Sequence, residues 1–217
     1  MAVQIQRVAV WSGWLRLAHW SLAGATLVLL ASGWLIAHSP AVAERAVEIH
    51  YIAAAILVFG LALRVFLGLF GRGPETFAAM IPGASDWPGI RASLLFYLTL
   101  GRAPLPNWYA HNPLWAPLYL VLFVVLAISA LSGWLMPDRP LLAGLVYLPD
   151  LHRVLADVVA LFLLAHLYSV ALQDLKGQGA DVSAMINGER CFSVDRQGLV
   201  PPEPPKVSVR LDDIGRR

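Results

Sequence analysis

Four stretches of the sequence, at about residues 15–37, 49–70, 114–136 and 151–172, are runs of almost unbroken apolar side chains. A hydrocarbon core about 30 Å thick is crossed by roughly 20 residues of α-helix. Each residue advances about 1.5 Å, and no water is there to satisfy an open backbone. The expected fold is therefore all-α: an integral membrane four-helix bundle. Composition agrees, with 58% hydrophobic residues, 14% charged and a mean hydropathy of +0.64, far from a soluble domain of this length. Each run ends near Pro, Gly or charge, which suits helical hairpins. A fifth stretch, residues 86–100, mixes Trp87, Leu94, Leu95, Phe96 and Tyr97 with Arg91. It is too short and polar to span, and is expected as an amphipathic helix at the interface between helices two and three.

Residues 1–10 lack the basic, apolar and small-residue succession of a cleaved signal, so the first hydrophobic run is expected to stay in the mature protein. Residues 1–175 read as the transmembrane domain. Residues 176–217 read as a polar tail, with an extended stretch at Pro201–Pro205. A net charge of +2 without a basic run excludes nucleic acid as a natural partner. A single cysteine, Cys191, excludes an internal disulfide framework, a cysteine-rich iron–sulfur or zinc site and covalent haem attachment.

Cytoplasmic loops of membrane proteins hold the excess of Lys and Arg. The N-terminus, the second loop, the C-terminus and Arg64 together carry thirteen of the sixteen such residues, leaving Arg45, Arg139 and Arg153 to the first and third loops and adjoining helix starts. Both termini are accordingly expected in the cytoplasm. An internal echo accompanies this topology. Ser32-Gly33-Trp34-Leu35 closes helix one and Ser132-Gly133-Trp134-Leu135 closes helix three, and each is followed by a helix that opens near a histidine, His50 or His152. Two related hairpins would produce such an echo, and so would a recurrent small-residue and Trp helix end.

Ionisable side chains inside a span are costly and usually face the bundle interior. His19, His50, His152 and His166 all fall within spans, whereas His38 and His111 lie in or beside loops. His152 and His166 are fourteen residues apart, about 21 Å along a helix axis with a residual rotation near 40°, so they share one face at opposite depths. Alternating helix directions then put His50 with His152 at an outer level and His19 with His166 at an inner one. Neutral imidazoles are good axial ligands of haem iron, and two of them leave no open position, which favours electron transfer. Hydrogen bonding between helices is the plainer use of any single intramembrane histidine. Zinc would want four clustered ligands, which two separated pairs do not provide.

At these residues the chain resembles the membrane cytochrome b subunits of nickel–iron hydrogenases, formate dehydrogenases and thiosulfate reductases, grouped with the bacterial cytochrome b561 proteins. The matching features are Arg16-Leu17-Ala18-His19-Trp20, His50, Ala110-His111-Asn112-Pro113-Leu114, the pair His152 and His166, and Met185-Ile186-Asn187-Gly188. The resemblance covers about residues 8–192. It implies two b haems held by the two histidine pairs, and a periplasmic oxidoreductase partner, with an iron–sulfur subunit, that exchanges electrons with the outer haem. It also implies quinone chemistry beside the inner haem in a bacterial inner membrane. Arg16 and Arg64 are candidate partners of the anionic propionates, although positive-inside topology and snorkelling are the plainer account of any single arginine here. Asn107, His111 and Asn112 are candidates for a quinone site, against a simple turn and helix entry at Asn112–Pro113. Two other readings stay open: a free-standing cytochrome b561 of the quinol-oxidising type, and a haem-free transporter or scaffold whose histidines relay protons or bind a metal.

Overall fold

The computed structural model describes residues 4–142, 144–176 and 181–194. In chain order the elements are β1 (Gln4–Ala9), α1 (Gly13–His38), α2 (Ala43–Phe70), α3 (Trp87–Leu98), α4 (Trp115–Leu135), a two-residue hairpin β2 (Leu141–Leu142) and β3 (Val146–Tyr147), α5 (Leu148–Lys176), α6 (Asp181–Asn187) and β4 (Glu189–Val194). Short 3-10 turns lie between α1 and α2 and between α2 and α3. The helices α1, α2, α4 and α5 are long and apolar enough to cross a membrane, which makes this an all-α membrane bundle. At about 1.5 Å per residue, the 21 residues of α4 reach about 32 Å and the 29 of α5 about 44 Å. The end of the bundle that carries β1 and β4 is called inner below.

Burial is inverted relative to a soluble bundle. Phe59, Phe66, Val121, Leu161 and Leu164 are exposed on the outside of the spans, where lipid would surround them. The buried midplane is Leu22 and Ala25 of α1, Leu57 of α2, Leu126 of α4 and Val159 of α5. Small residues let α1 and α2 approach closely, Ala18, Ala25, Ala53 and Gly60 among them. A Cβ placed on Gly60 would stand 3.0 Å from Ser21 Cβ and 3.2 Å from the Leu22 backbone nitrogen.

Caps fix the ends of the spans. The Ser12 hydroxyl accepts from Leu15 N at 3.1 Å and also bonds the Glu75 carboxylate, tying the start of α1 to the loop after α2. Asn112 opens α4: its Oδ1 accepts from Leu114 N at 2.9 Å, and its carbonyl accepts from Trp115 N and Ala116 N. Pro88 stands in the first turn of α3, where its missing N–H leaves nothing unsatisfied. Helix α3 buries Ser93, Phe96 and Tyr97 and leaves Leu94, Leu95 and Leu98 exposed, so it presents apolar side chains both to the bundle and away from it. The Tyr97 hydroxyl accepts from Asn112 Nδ2 at 2.9 Å and from Gln173 Nε2, and the Tyr97 carbonyl accepts from Tyr168 at 3.0 Å, which docks α3 on α4 and α5.

Residues 181–194, which composition marks only as polar, are folded. Strand β4 pairs antiparallel with β1 from Gln4↔Val194 to Ala9↔Glu189. The Gly188 carbonyl accepts from both Val10 N and Trp11 N, at 2.9 and 3.0 Å. Gly188 has φ +91°, and a Cβ there would lie 2.7 Å from the Trp11 carbonyl oxygen, so only glycine fits this crossing. Short strands of mixed polarity at a water-facing end carry no apolar alternation, and so escape a reading based on hydropathy. Pro201–Pro205 lies outside the described residues.

Gly60→Ala is expected to overpack the α1–α2 contact and lower stability by about 1–3 kcal/mol. Gly24→Ala, whose Cβ would meet nothing within 4 Å, should be neutral. Unfolding midpoints of the detergent-solubilised variants check this pair.

Candidate functional site: two histidine pairs and an inner mouth

The structure brings His50 of α2 against His152 of α5, and His19 of α1 against His166 of α5. The ring centres are 6.2 Å apart in the first pair and 6.4 Å in the second, with the rings steeply inclined at 67° and 61°. Leu22, Ala25, Leu57 and Val159 of the midplane core lie between the two levels in sequence and pack as one apolar layer. Among the described residues no three His, Cys, Asp or Glu side chains cluster as a metal site, so each pair offers two protein donors. His38 stands apart at the end of α1, stacked on Trp34 and exposed.

The outer pair is set by the helix-end motif. Ser32 Oγ lies 2.9 Å from His50 Nδ1, and Ser132 Oγ lies 3.2 Å from His152 Nδ1, which also stands 2.9 Å from the Ser129 carbonyl oxygen. A Cβ on Gly33 would fall 3.6 Å from His50 Cε1, and one on Gly133 would fall 2.9 Å from His152 Cε1. The inner pair is set by aromatic rings. Phe162 stacks on His166 at 6.1 Å and 13°, Trp115 and Tyr119 meet it edge-on at 5.9 Å each, and Trp20 meets His19 edge-on at 5.2 Å. Tyr119 Oη lies 3.3 Å from His166 Nδ1. Trp115, a border aromatic by its sequence position, is buried against this histidine instead. Tyr119 and Phe162 gave no signal of their own in an apolar run, because an aromatic there is ordinary packing until its neighbour is known to be a histidine.

Arg16 lies one residue short of a turn before His19. Its Nη1 donates to the Ile186 carbonyl, while its Nε is buried without a partner among the described residues. Met185 supplies a carbonyl to Trp20 Nε1 at 2.8 Å, so the segment 185–188 holds the start of α1 from below. Arg64 is buried between Phe77 and Phe123. It donates to the Glu75 carbonyl at 2.7 Å and meets Met80 Sδ at 2.8 Å.

Of the loop candidates, Asn107 is exposed, and Asn112 is buried with both ends of its amide engaged. His111 lines a cavity of about 90 Å³ together with Asp86, Met80, Pro113 and Ala116. Its Nδ1 is buried and without a partner among the described residues, and Trp11 packs edge-on against its ring at 5.0 Å. Arg190 of β4 holds the approach to it, donating to the carbonyls of Trp108, Tyr109 and Ala110. Burial, followed by the positive charges of Arg64 and Arg190, pushes His111 down from its ordinary value to about 4. The ring is therefore neutral at physiological pH.

The profile of the prokaryotic cytochrome b561 family matches residues 10–188. The chain belongs to that family. Relatives named probable Ni/Fe-hydrogenase B-type cytochrome subunit include proteins of Cupriavidus necator, 24% identical over 87% of this chain and 88% of its own length, and of Rhizobium leguminosarum bv. viciae, 25% identical over 90% and 93%. A hydrogenase 1 counterpart of Escherichia coli K12 is 21% identical over 81% and 87%. No solved structure matches the chain. As a family member this is a multi-pass membrane cytochrome b, an electron carrier for which b-type haem is the implied cofactor.

The histidine pairs fit that cofactor. With ring centres 6.2 and 6.4 Å apart, each pair leaves room for one metal ion to be shared between its two imidazoles. Two protein donors per site also suit a ligand that brings four nitrogens of its own.

For stability, His111 binds a proton in the unfolded chain below about 6.5 but resists it in the fold until about 4. Its contribution is thus present above 6.5 and lost as the pH falls through about 4. His111→Gln should flatten the acid limb of a thermal-stability profile recorded between pH 8 and 4.

Proposed function

We propose that this cytochrome b561-family chain is the two-haem membrane subunit of a quinone-linked oxidoreductase, carrying electrons between a periplasmic partner enzyme and the quinone pool. The observation that carries the reading is the presence of two imidazole pairs at two depths, each spaced for one iron. His50 with His152 forms the outer site, and His19 with His166 the inner one. A haem held between the two histidines of each pair would supply one-electron carriage. The fourteen residues from His152 to His166 correspond to about 21 Å along the axis, so the two sites together bridge much of a hydrocarbon core.

Arg16 is the first choice for a propionate partner at the inner level. Its guanidinium is oriented by the Ile186 carbonyl and keeps a buried, unpartnered Nε. Arg64 adds a second buried positive charge on the same side. The buried polar atoms without partners among the described residues are Arg16 Nε, Ser93 Oγ, His111 Nδ1 and Trp115 Nε1, all toward the inner end. Their concentration there favours an exchangeable polar ligand at the inner mouth, and quinone is the ligand suited to this chemistry. Neutral His111 exchanges a hydrogen bond with a quinone carbonyl through Nδ1, Asn112 fixes the loop, and Asn107 stands at the opening. Converting quinone to quinol takes two electrons and two protons. The electrons pass singly through the bundle, and the protons enter from the inner aqueous side, where Asp86 lines the cavity.

The hydrogenase names of the relatives favour a nickel–iron hydrogenase as the partner, and an iron–sulfur subunit carrying electrons to this chain follows from the family resemblance. Thirteen of sixteen Lys and Arg on one side favour cytoplasmic termini. On this reading residues 1–175 form the transmembrane dihaem domain and residues 176–217 a cytoplasmic segment.

The purified chain is expected to carry two b haems by pyridine haemochrome assay. His152→Ala should lose one and His166→Ala the other, distinguishable by potential in a redox titration. Haem content unchanged in both variants would overturn the pairing. His111→Leu should slow oxidation of the reduced protein by a soluble quinone about tenfold, the effect of one lost buried hydrogen bond, with both haems retained. Stopped-flow spectroscopy reads that rate.

A further inference from the structure

The repeated helix-end motif acts on the outer histidines through their far nitrogens. The proton of the Ser32 hydroxyl is already given to the Val28 carbonyl at 2.7 Å, with Leu29 O at 3.2 Å. The contact of Ser32 with His50 Nδ1 at 2.9 Å therefore leaves the ring as donor, and Nδ1 carries the hydrogen. In the second repeat the Ser129 carbonyl, which can only accept, lies 2.9 Å from His152 Nδ1, so this nitrogen also carries the hydrogen. Ser132 repeats the pattern, donating to the same Ser129 carbonyl at 3.0 Å and standing 3.2 Å from His152 Nδ1. Both serines are buried at 3% exposure, so water does not compete for these contacts. In each case Nε2 keeps its lone pair. Gly133 completes the device in the second repeat, because a Cβ there would press on the His152 Cε1 edge at 2.9 Å, whereas one at Gly33 would meet His50 Cε1 only at an ordinary contact distance of 3.6 Å. The inner histidines have no such arrangement among the described residues: His166 Nδ1 faces Tyr119 at 3.3 Å.

We infer that Ser32 and Ser132 are positioning residues of the outer site, holding His50 and His152 as Nδ1–H tautomers with fixed ring rotation and so lowering the potential of the outer haem alone. The inference rests on the two-haem reading. A ring that donates from Nδ1 gains anionic character and becomes a stronger donor at Nε2, which favours the ferric state.

The test is a potentiometric titration and a low-temperature EPR spectrum of the parent, Ser32→Ala, Ser132→Ala and Ser32→Thr, with His50→Ala and His19→Ala to assign the outer and inner signals. Ser32→Ala is expected to retain both haems, raise the midpoint of the outer haem, move its low-spin EPR line and leave the inner haem unmoved; Ser132→Ala, which leaves the Ser129 carbonyl as acceptor for His152 Nδ1, should act in the same direction with a smaller shift. Ser32→Thr, which keeps the hydroxyl, should restore the parent values. Both haems bound with neither potential changed, or a shift confined to the inner haem, would overturn the inference and leave the two-haem reading intact. A parent without haem would overturn that reading and this inference with it.

Discussion

An imidazole carried into a hydrocarbon layer loses its water and has to recover partners from the protein. Four histidines impose that demand at two levels, and much of the bundle answers to it. Helix α5 carries one histidine to each level, α1 and α2 supply the opposite members, and α4 brings the groups that steady the rings on α5: Ser129, Ser132 and Gly133 outside, Trp115 and Tyr119 inside. The midplane between them is left to Leu22, Ala25, Leu57, Leu126 and Val159, which need only fill space.

The two levels are held by different physics. The outer rings are fixed by directional hydrogen bonds to hydroxyl and carbonyl oxygens, and beside His152 Gly133 leaves the room that a side chain would take. The inner rings are fixed mainly by aromatic faces and edges, which constrain orientation less sharply but exclude water well.

The four spans and the interfacial helix were legible because hydropathy over twenty residues is a strong signal, and because α3 mixes apolar residues with Arg91. Which histidines meet was legible from helix direction and the 1.5 Å rise. What the serine–glycine echo does was not. Ser32 and Gly33 look like any small helix end until His50 is seen against them. The β1–β4 ladder was also hidden, since Gln6 and Arg7 stand side by side, as do Glu189 and Arg190, which breaks the alternation of a half-buried strand, and a backbone ladder leaves no trace in side-chain composition. Asn112 was readable both as a ligand residue and as a cap, and only its partners Tyr97 and Leu114 separate the uses.

The ladder between β1 and β4 ties the segment before the first span to the segment after the last, with Ala9 facing Glu189 across 180 residues of chain. It closes only if both strands emerge on one side, which permits an even number of crossings and forbids three or five. At ribosomal speeds of about 5–20 residues per second, β1 waits some 10–40 s for its partner, until α5 has been made. Over that interval its edge stays open and Arg190 has not reached the loop before His111, so the inner mouth is the last part of the molecule to take shape. Its completion then reports that every span has been threaded.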